Sequence, residues 1–502
     1  MRGLARRLFC QGLGAMALSI GCRPHRPGGE VVPPRGSGEG GRLLIRGARI
    51  YTERGLKRLD LRARAGRIIE LAPALEPQRD ETRLDARGLL ALPGGIDPHV
   101  HLSPDPDPPD DDLGFCDNFT HGSEAALAGG ITSIGAMLFP DEHDNIIGAV
   151  DENTRSVAEQ AIADVFFHAV AFTSAASSQA ALATLESRGH TSIKLFKVMV
   201  QFERQRSGFV EIIREAGRRR MLTLIHCENH EINSEAIERL KAEGKNTLRH
   251  FAESSPVRSE VKAVRDAIYL SEQTGAPVYI VHLSSEAALR ECVKARRRGV
   301  PVYVETRPMY LYHTRARYER ADGPLFVGQP PLRSPQDIEA LWDGLQRGLI
   351  DTIGSDHAPF TTADKLDPTS NLEEYRPGTP SLQMMLPMLF SEGVARGRLT
   401  LSRFVELTST NAARLFGLYP RKGVIRPGAD ADLTLWDPGR RRTIDVDMLR
   451  SRAGYDINEG REVLGWPVYT IRRGQLAYAD GEIMAPPGSG QLLVRGPHQP
   501  LR

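Results

Sequence analysis

Two textures of apolar and polar residues share this chain. From Arg42 to about Ala91, and again near the C-terminus, short segments alternate apolar with polar residues around Gly or Asp turns. Examples are "RLLIRGARIY" and "LDLRARAGRIIEL" early, and "GVIRPGADADLTLWDP" and "VYTIRRGQLAYADGEI" late. A period of two predicts half-buried strands. Its presence at both ends predicts one small β-sandwich domain built from residues 42–91 and 421–485. The middle reads differently. Apolar runs of strand length recur at Leu89–His101, Ile131–Leu138, Val165–Phe172, Ser192–Val198, Leu222–His226, Val278–His282, Val302–Glu305 and Thr352–Ser355. Stretches with helical spacing separate them, such as "FVEIIREAGRRR" and "EVKAVRDAIYLSEQTG". Strands apolar on both faces and alternating with helices predict an α/β fold with a covered parallel sheet. Eight of them predict a TIM-type (β/α)8 barrel over residues 92–420. A doubly wound dinucleotide-binding sheet is the rival, but no GxGxxG joins the first strand to its helix.

Composition narrows the function classes. The 502 residues carry 65 basic and 63 acidic side chains, a formal charge of +2, which gives no electrostatic footing for nucleic acid. No apolar run reaches the ~18 residues of a membrane span. The five cysteines, Cys10, Cys22, Cys116, Cys227 and Cys292, form no CxxC pair and suggest neither a disulfide framework nor a zinc ribbon. Residues 1–41 read as a signal-like or disordered segment and linker. Arg6-Arg7, a weakly apolar stretch and Cys22 look like a twin-arginine export signal, and Ser19 makes the lipobox imperfect. Residues 486–502 read as a tail.

The candidate chemistry lies at the C-terminal ends of the expected barrel strands, where barrel enzymes place their active sites. "GGIDPHVHLSPD" ends the first strand with His99 and His101, which at i and i+2 point to the same side. Lys194 lies on the fourth strand in "TSIKLFK", His226 ends the fifth, His282 the sixth, and Asp356 follows the eighth in "IGSDHAP". A lone histidine at a strand end is more often structural than a ligand. His121, His143, His168, His250, His313 and His357 have no such joint placement and read as structural or surface residues. Four imidazoles and a carboxylate converging on one barrel mouth form a ligand set for divalent metals.

In this order the residues resemble the amidohydrolase superfamily, in the cyclic-amidase branch of dihydropyrimidinases, hydantoinases, allantoinases and dihydroorotases. "DNFTHGSEAALAGGITS" and "ELTSTNAARLFGL" with "KGVIRPGADADLTLWDP" are similar to that branch too, and the likeness runs from about Arg42 to about Ile483. The resemblance implies a hydrolase that opens a cyclic amide of the dihydropyrimidinase or hydantoinase type, with allantoinase- or dihydroorotase-like activity as the alternative. It implies two divalent ions, zinc foremost, with His99, His101 and Asp356 on the first and His226 and His282 on the second. Lys194 would bridge them as a carbon dioxide-derived N-carboxylysine, and a bridging hydroxide would attack the amide while Asp356 moves its proton. Lys197, three residues on and so on the opposite face of the strand, competes for the bridging role. A small-molecule substrate, no nucleic acid, a homo-oligomer (dimer or tetramer) and a cytoplasmic location follow from the same resemblance, with export by residues 1–22 as the alternative. A non-catalytic scaffold relative would lack several of these ligands.

The chain departs from the branch around the substrate. Leu102-Ser103-Pro104 stands where dihydroorotases carry an Arg. Met199 replaces a Tyr that helps hold the oxyanion, and Pro377 replaces an Asn that contacts the ring. Arg307 stands near the expected ring site. It is a candidate substrate-binding residue that would favour an acidic or ureido substituent, or else a structural partner of Glu305 or Asp322.

Overall fold

The computed structural model of the chain describes residues 41–105, 107, 114–140 and 145–501. The signal-like features at Arg6-Arg7 and Cys22, and also His143, lie outside the described residues. Among those residues no helix is long and apolar enough to cross a membrane.

The alternating segments at both chain ends form one continuously hydrogen-bonded sheet. Its N-terminal strands are β1 (Arg42–Thr52), β2 (Gly55–Arg64), β3 (Arg67–Ala72), β4 (Glu81–Asp85) and β5 (Leu90–Pro93). The eight apolar strands of the middle follow: β6 (Gly95–Val100), β7 (Ile131–Leu138), β8 (Asp164–Val170), β9 (Ser192–Phe196), β10 (Leu222–His226), β11 (Val278–Ile280), β12 (Val302–Thr306) and β13 (Thr352–Ile353). The chain returns to the end sheet through β14 (Leu433–Thr443), β15 (Glu462–Arg472), β16 (Gln475–Ala479) and β17 (Glu482–Ile483). The order there is β17-β16-β15-β14-β5-β1-β2-β3, with β4 beside β1. The N- and C-terminal halves meet where Leu90–Pro93 pairs antiparallel with Leu433–Trp436.

β6 to β13 pair in sequence order, in parallel, as the (β/α)8 barrel. A parallel bridge from Val100 to His357, with His101 N–H donating to the His357 carbonyl at 2.7 Å, joins the last strand region to the first beside the HxH pair. Ile96, Met137, Phe166, Leu224 and Tyr279 belong to one buried cluster, so the barrel is a packed core rather than a pore. The apolar run expected as a single strand over Leu89–His101 is two strands in two sheets. Gly94 breaks it, and its N–H donates to the Asp432 carbonyl at 2.9 Å.

The segment after β17 folds back under the barrel. Val165 N–H donates to the Gln491 carbonyl (2.8 Å) and Leu493 N–H to the Val165 carbonyl (2.7 Å). Arg495 Nη2 reaches Ser192 Oγ at 2.9 Å. This segment therefore covers the floor of the barrel, the end opposite the candidate ligands.

Candidate metal centre

Strand geometry delivers the ligands. His99 lies inside β6 and His101 just past it. Lys194 lies within β9, and His226 ends β10. His282 and Asp356 follow β11 and β13 with φ of 39° and 47°, a left-handed backbone that costs non-glycine residues about 1–3 kcal/mol each. Such strain is held by its surroundings, and here it stands at two of the six candidate ligands. All six side chains are buried.

The donor atoms of His99, His101 and Asp356 lie within 4.8 Å of one another. The His99 and His282 rings are 5.5 Å apart, and those of His282 and His226 are 4.6 Å apart, so the histidines form one continuous group. Asp356 Oδ1 lies 2.8 Å from His101 Nε2 and 3.1 Å from His99 Nε2. The second contact is at ion-pair distance without hydrogen-bond geometry. His99 Nε2, His101 Nδ1 and His282 Nδ1 are buried ring nitrogens with no hydrogen bond. Buried polar atoms are normally paired, and imidazole nitrogens beside a carboxylate suit a borderline divalent ion. The residues present therefore fit a metal.

A second layer orients these rings. His99 Nδ1 donates to Glu305 Oε1 at 2.8 Å, which frees Nε2 to ligate. Glu305 also accepts from the His282 N–H (3.0 Å) and from the Tyr279 hydroxyl (2.8 Å). His226 Nε2 lies 2.7 Å from Glu228, which leaves its Nδ1 as the possible ligand. Asp97 accepts from the backbone N–H groups of His99 and Ser355, both at 3.0 Å, and burial pushes its carboxyl up to about 6. Reading strand ends for metal ligands passes over Glu305 and Glu228. Their signal is a carboxylate in an otherwise apolar strand or two residues past a histidine ligand.

The two lysines part company. Burial pulls the Lys194 ammonium down to about 8, against the raising effect of Asp356 and Glu305, so the neutral amine is within reach near physiological pH. Lys197 is held by Glu203 at 2.6 Å and Asp266 at 3.4 Å, with its ammonium over the Phe202 ring. Arg307 pairs with neither Glu305 nor Asp322. Its Nη1 lies 2.9 Å from Asp356 Oδ2, and its Nη2 donates to Thr379 Oγ1 at 2.9 Å and to the Asp356 carbonyl at 3.3 Å. Burial raises the Asp356 carboxyl, but Arg307 and the two histidines outweigh it and hold the group well below the usual carboxylate range.

Phenylalanines at five strand ends, Phe196 as the last residue of β9 and the others on the loops that follow, surround the ligands. Phe115 and Phe139 lie 5.4 and 5.5 Å from the His101 ring, and Phe196 lies 5.6 Å from the His226 ring. Phe172 stacks on Phe139 at 6.0 Å, and Phe360 meets Phe115 at 5.5 Å. Four of the five are only partly buried, so the wall offers an aromatic face beside the candidate metal site. A separate surface groove of about 450 Å³, between Arg239, Glu253, Arg333 and Asp337, contains none of the candidate ligands.

Residues 90–477 match the amidohydrolase family. D-phenylhydantoinase of Escherichia coli O9:H4 (strain HS) is 32% identical over 465 residues, covering 91% of this chain and 99% of that protein. The crystal structure of a D-hydantoinase (dihydropyrimidinase) from Thermus sp. superposes with a TM-score of 0.86 at 33% identity, over 91% of this chain and 99% of that one. The dihydropyrimidinase of Brevibacillus agri gives 0.84 at 30%, with the same coverage. A barrel with histidines, a lysine and an aspartate at its strand ends, matched over this length, makes the chain a member of the amidohydrolase family, in its cyclic-amidase branch.

Proposed function

We propose that the protein opens a hydantoin- or dihydropyrimidine-type ring that carries an aromatic or bulky apolar substituent. Cyclic-amide hydrolysis is the activity of the branch. The substituent is our reading of the phenylalanine wall, which is the observation that carries it. An acidic or ureido group would have to leave water for a wall of phenyl rings, at a cost of kilocalories. The nearby cation, Arg307, is already committed to Asp356 and Thr379. An aryl group gains burial and ring contacts worth about 0.5–1.5 kcal/mol per pair.

His99, His101, Lys194, His226, His282 and Asp356 would hold two divalent ions, zinc foremost, with Lys194 as the carbamate formed from its neutral amine and carbon dioxide. Such ions supply Lewis-acid polarisation of the amide carbonyl and ionise water at neutral pH. Asp356 would accept the proton of the attacking water and return it to the departing ring nitrogen. Arg307, bound to Oδ2, fixes the orientation of that carboxylate. Glu305 and Glu228 hold the imidazoles in one tautomer. Met199 offers no hydrogen-bond donor to the oxyanion, so this chain's side chains contribute less there than a tyrosine would.

The test is a comparison of 5-phenylhydantoin, hydantoin, dihydrouracil, allantoin and dihydroorotate, with elemental analysis of the same preparation. We expect close to two divalent ions per chain, loss of activity on chelation, and the highest kcat/KM on the phenyl ring. A preference for allantoin or dihydroorotate would overturn the substituent. A protein that stays metal-free after expression in zinc-replete medium would overturn the metal centre. Phe139→Ala is expected to raise KM for 5-phenylhydantoin about 3- to 10-fold, the loss of an aromatic pair, with little change for dihydrouracil. Equal effects on both rings would place Phe139 in the scaffold alone.

A further inference from the structure

Lys365 ends the short helix Thr362–Lys365 and is buried. Its Nζ donates to three backbone carbonyls, those of Val327 (2.7 Å), Arg376 (2.6 Å) and Gly378 (2.8 Å). Among the described residues no carboxylate pairs with it. Burial, and the nearby positive charge of Arg307, push its pKa well below the ordinary lysine value. Three donations at this range need the three N–H bonds of the charged form. Charge-assisted bonds are the strong ones, so the carbonyl dipoles oppose the shift. A buried ammonium without a counter-ion is otherwise expensive.

The three carbonyls belong to two segments. Val327 lies on the loop that follows β12, and Arg376 and Gly378 on the loop that follows β13. Gln329 Nε2 donates to Tyr375 Oη at 2.6 Å, a second link between the same segments. Both segments press on the group that holds Asp356. A Cβ on Gly328 would lie 3.0 Å from Arg307 Nη1, and Thr379 receives Arg307 Nη2 at 2.9 Å. Gly378 packs so closely on the start of the loop after β13 that a Cβ there would sit 2.2 Å from the Ala358 carbonyl oxygen. Buried carbonyls need donors, and one lysine supplies three of them at the junction of the two loops.

We propose that Lys365 is a positioning residue that holds the loops after β12 and β13 at a fixed spacing, and through Gly328 and Thr379 sets the place of Arg307 and Asp356 and the width of the substrate mouth. The proposal rests on the reading that these loops face the substrate. A 1 Å misplacement at such a distance from the chemistry can cost about 100-fold.

The experiment uses Lys365→Met, which keeps the stem volume and removes the donors, purified with its metals. We expect metal content equal to wild type. KM for 5-phenylhydantoin should rise about 10-fold and kcat/KM should fall about 10- to 100-fold. Backbone hydrogen exchange should be faster over residues 327–330 and 376–380 and unchanged elsewhere in the barrel. In Lys365→Ala, methylammonium should restore part of kcat/KM, and tetramethylammonium, which has no N–H, should not. Wild-type KM with wild-type exchange in both segments overturns the proposal, as does equal rescue by the two cations. If the methionine variant does not fold, Lys365→Gln, which retains two donors, is read in the same way. A wild-type protein inactive on every ring tested would count against the proposed substrate, while the exchange measurement would still decide the role of Lys365.

Discussion

Lys194→Ala is expected to lower kcat/KM by about 1000-fold or more and to leave the protein without its paired metals, since the several kilocalories of Lewis-acid catalysis go with them. Lys194 is the lysine whose surroundings suit the task. It is buried among the histidines and within the electrostatic reach of Asp356 and Glu305. Burial favours its neutral amine, the form that reacts with carbon dioxide, and the proposed carbamate would be an anion that two cations could stabilise. Lys197→Ala is expected to retain metal, because its ammonium is engaged by Glu203 and Asp266. Its carboxylate partners are partly exposed, so breaking the pair should lower stability by about 1–3 kcal/mol. Elemental analysis of the two purified variants checks both statements. Acetate or propionate, which imitate the carbamate, should restore part of the Lys194→Ala activity. If the metal losses are reversed between the variants, Lys197 is the bridge.

Lys422→Met is expected to cost about 3–5 kcal/mol of stability, the largest effect on folding foreseen here. Lys422 is buried among three carboxylates: Asp164 at 2.7 Å, Asp430 at 3.4 Å, and Asp432 in closer contact. Asp164 opens β8 of the barrel, while Asp430 and Asp432 lead into β14 of the end sheet, so the cluster ties the two units together. Removing the lysine leaves the buried carboxylates with arginines at the edge of the cluster, Arg472 and Arg473 at 3.9 and 3.3 Å from Asp164, and Arg67 and Arg421 at 3.1 and 3.8 Å from Asp430. Burial raises the Asp164 carboxyl, but Lys422 and the two arginines hold it below the ordinary carboxylate value. A depressed folded value stabilises above the unfolded value of ~3.9 and is lost as pH falls through the folded one. In Lys422→Met burial is no longer outweighed by the lysine, so the buried carboxyls move up and the penalty should shrink as pH falls and they take up protons. Urea denaturation at neutral and mildly acidic pH reads both effects. Adding Asp432→Asn to the variant should recover part of the loss, because one unpaired charge disappears. A shift under 1 kcal/mol would mean that water reaches the cluster.

What the sequence determined by itself is what depends on local period and residue type. The two-residue alternation at the ends and the eight apolar runs between them carry the end sheet and the barrel, because strand burial is written in consecutive side chains. The candidate ligands were legible for the same reason. His99 and His101 share a face by strand geometry, and His226 stands at the very residue where β10 ends. Contacts between distant residues were decided only by tertiary structure. The run Leu89–His101 could not say that it feeds two sheets, because an apolar run has no label for its partner, and the partner of Leu90–Pro93 lies some 340 residues on in β14. Glu305 meets His99 across 206 residues, and Arg307 meets Asp356 rather than a carboxylate close in sequence. The phenylalanine wall is drawn from five strand ends and the loops that follow them, and the Lys365 junction joins the connection after β13 to Val327, 38 residues earlier. A side chain's type limits which partners it accepts, but closure of the barrel chooses among them, and that choice sets Arg307 against Asp356 rather than against Glu305 or Asp322.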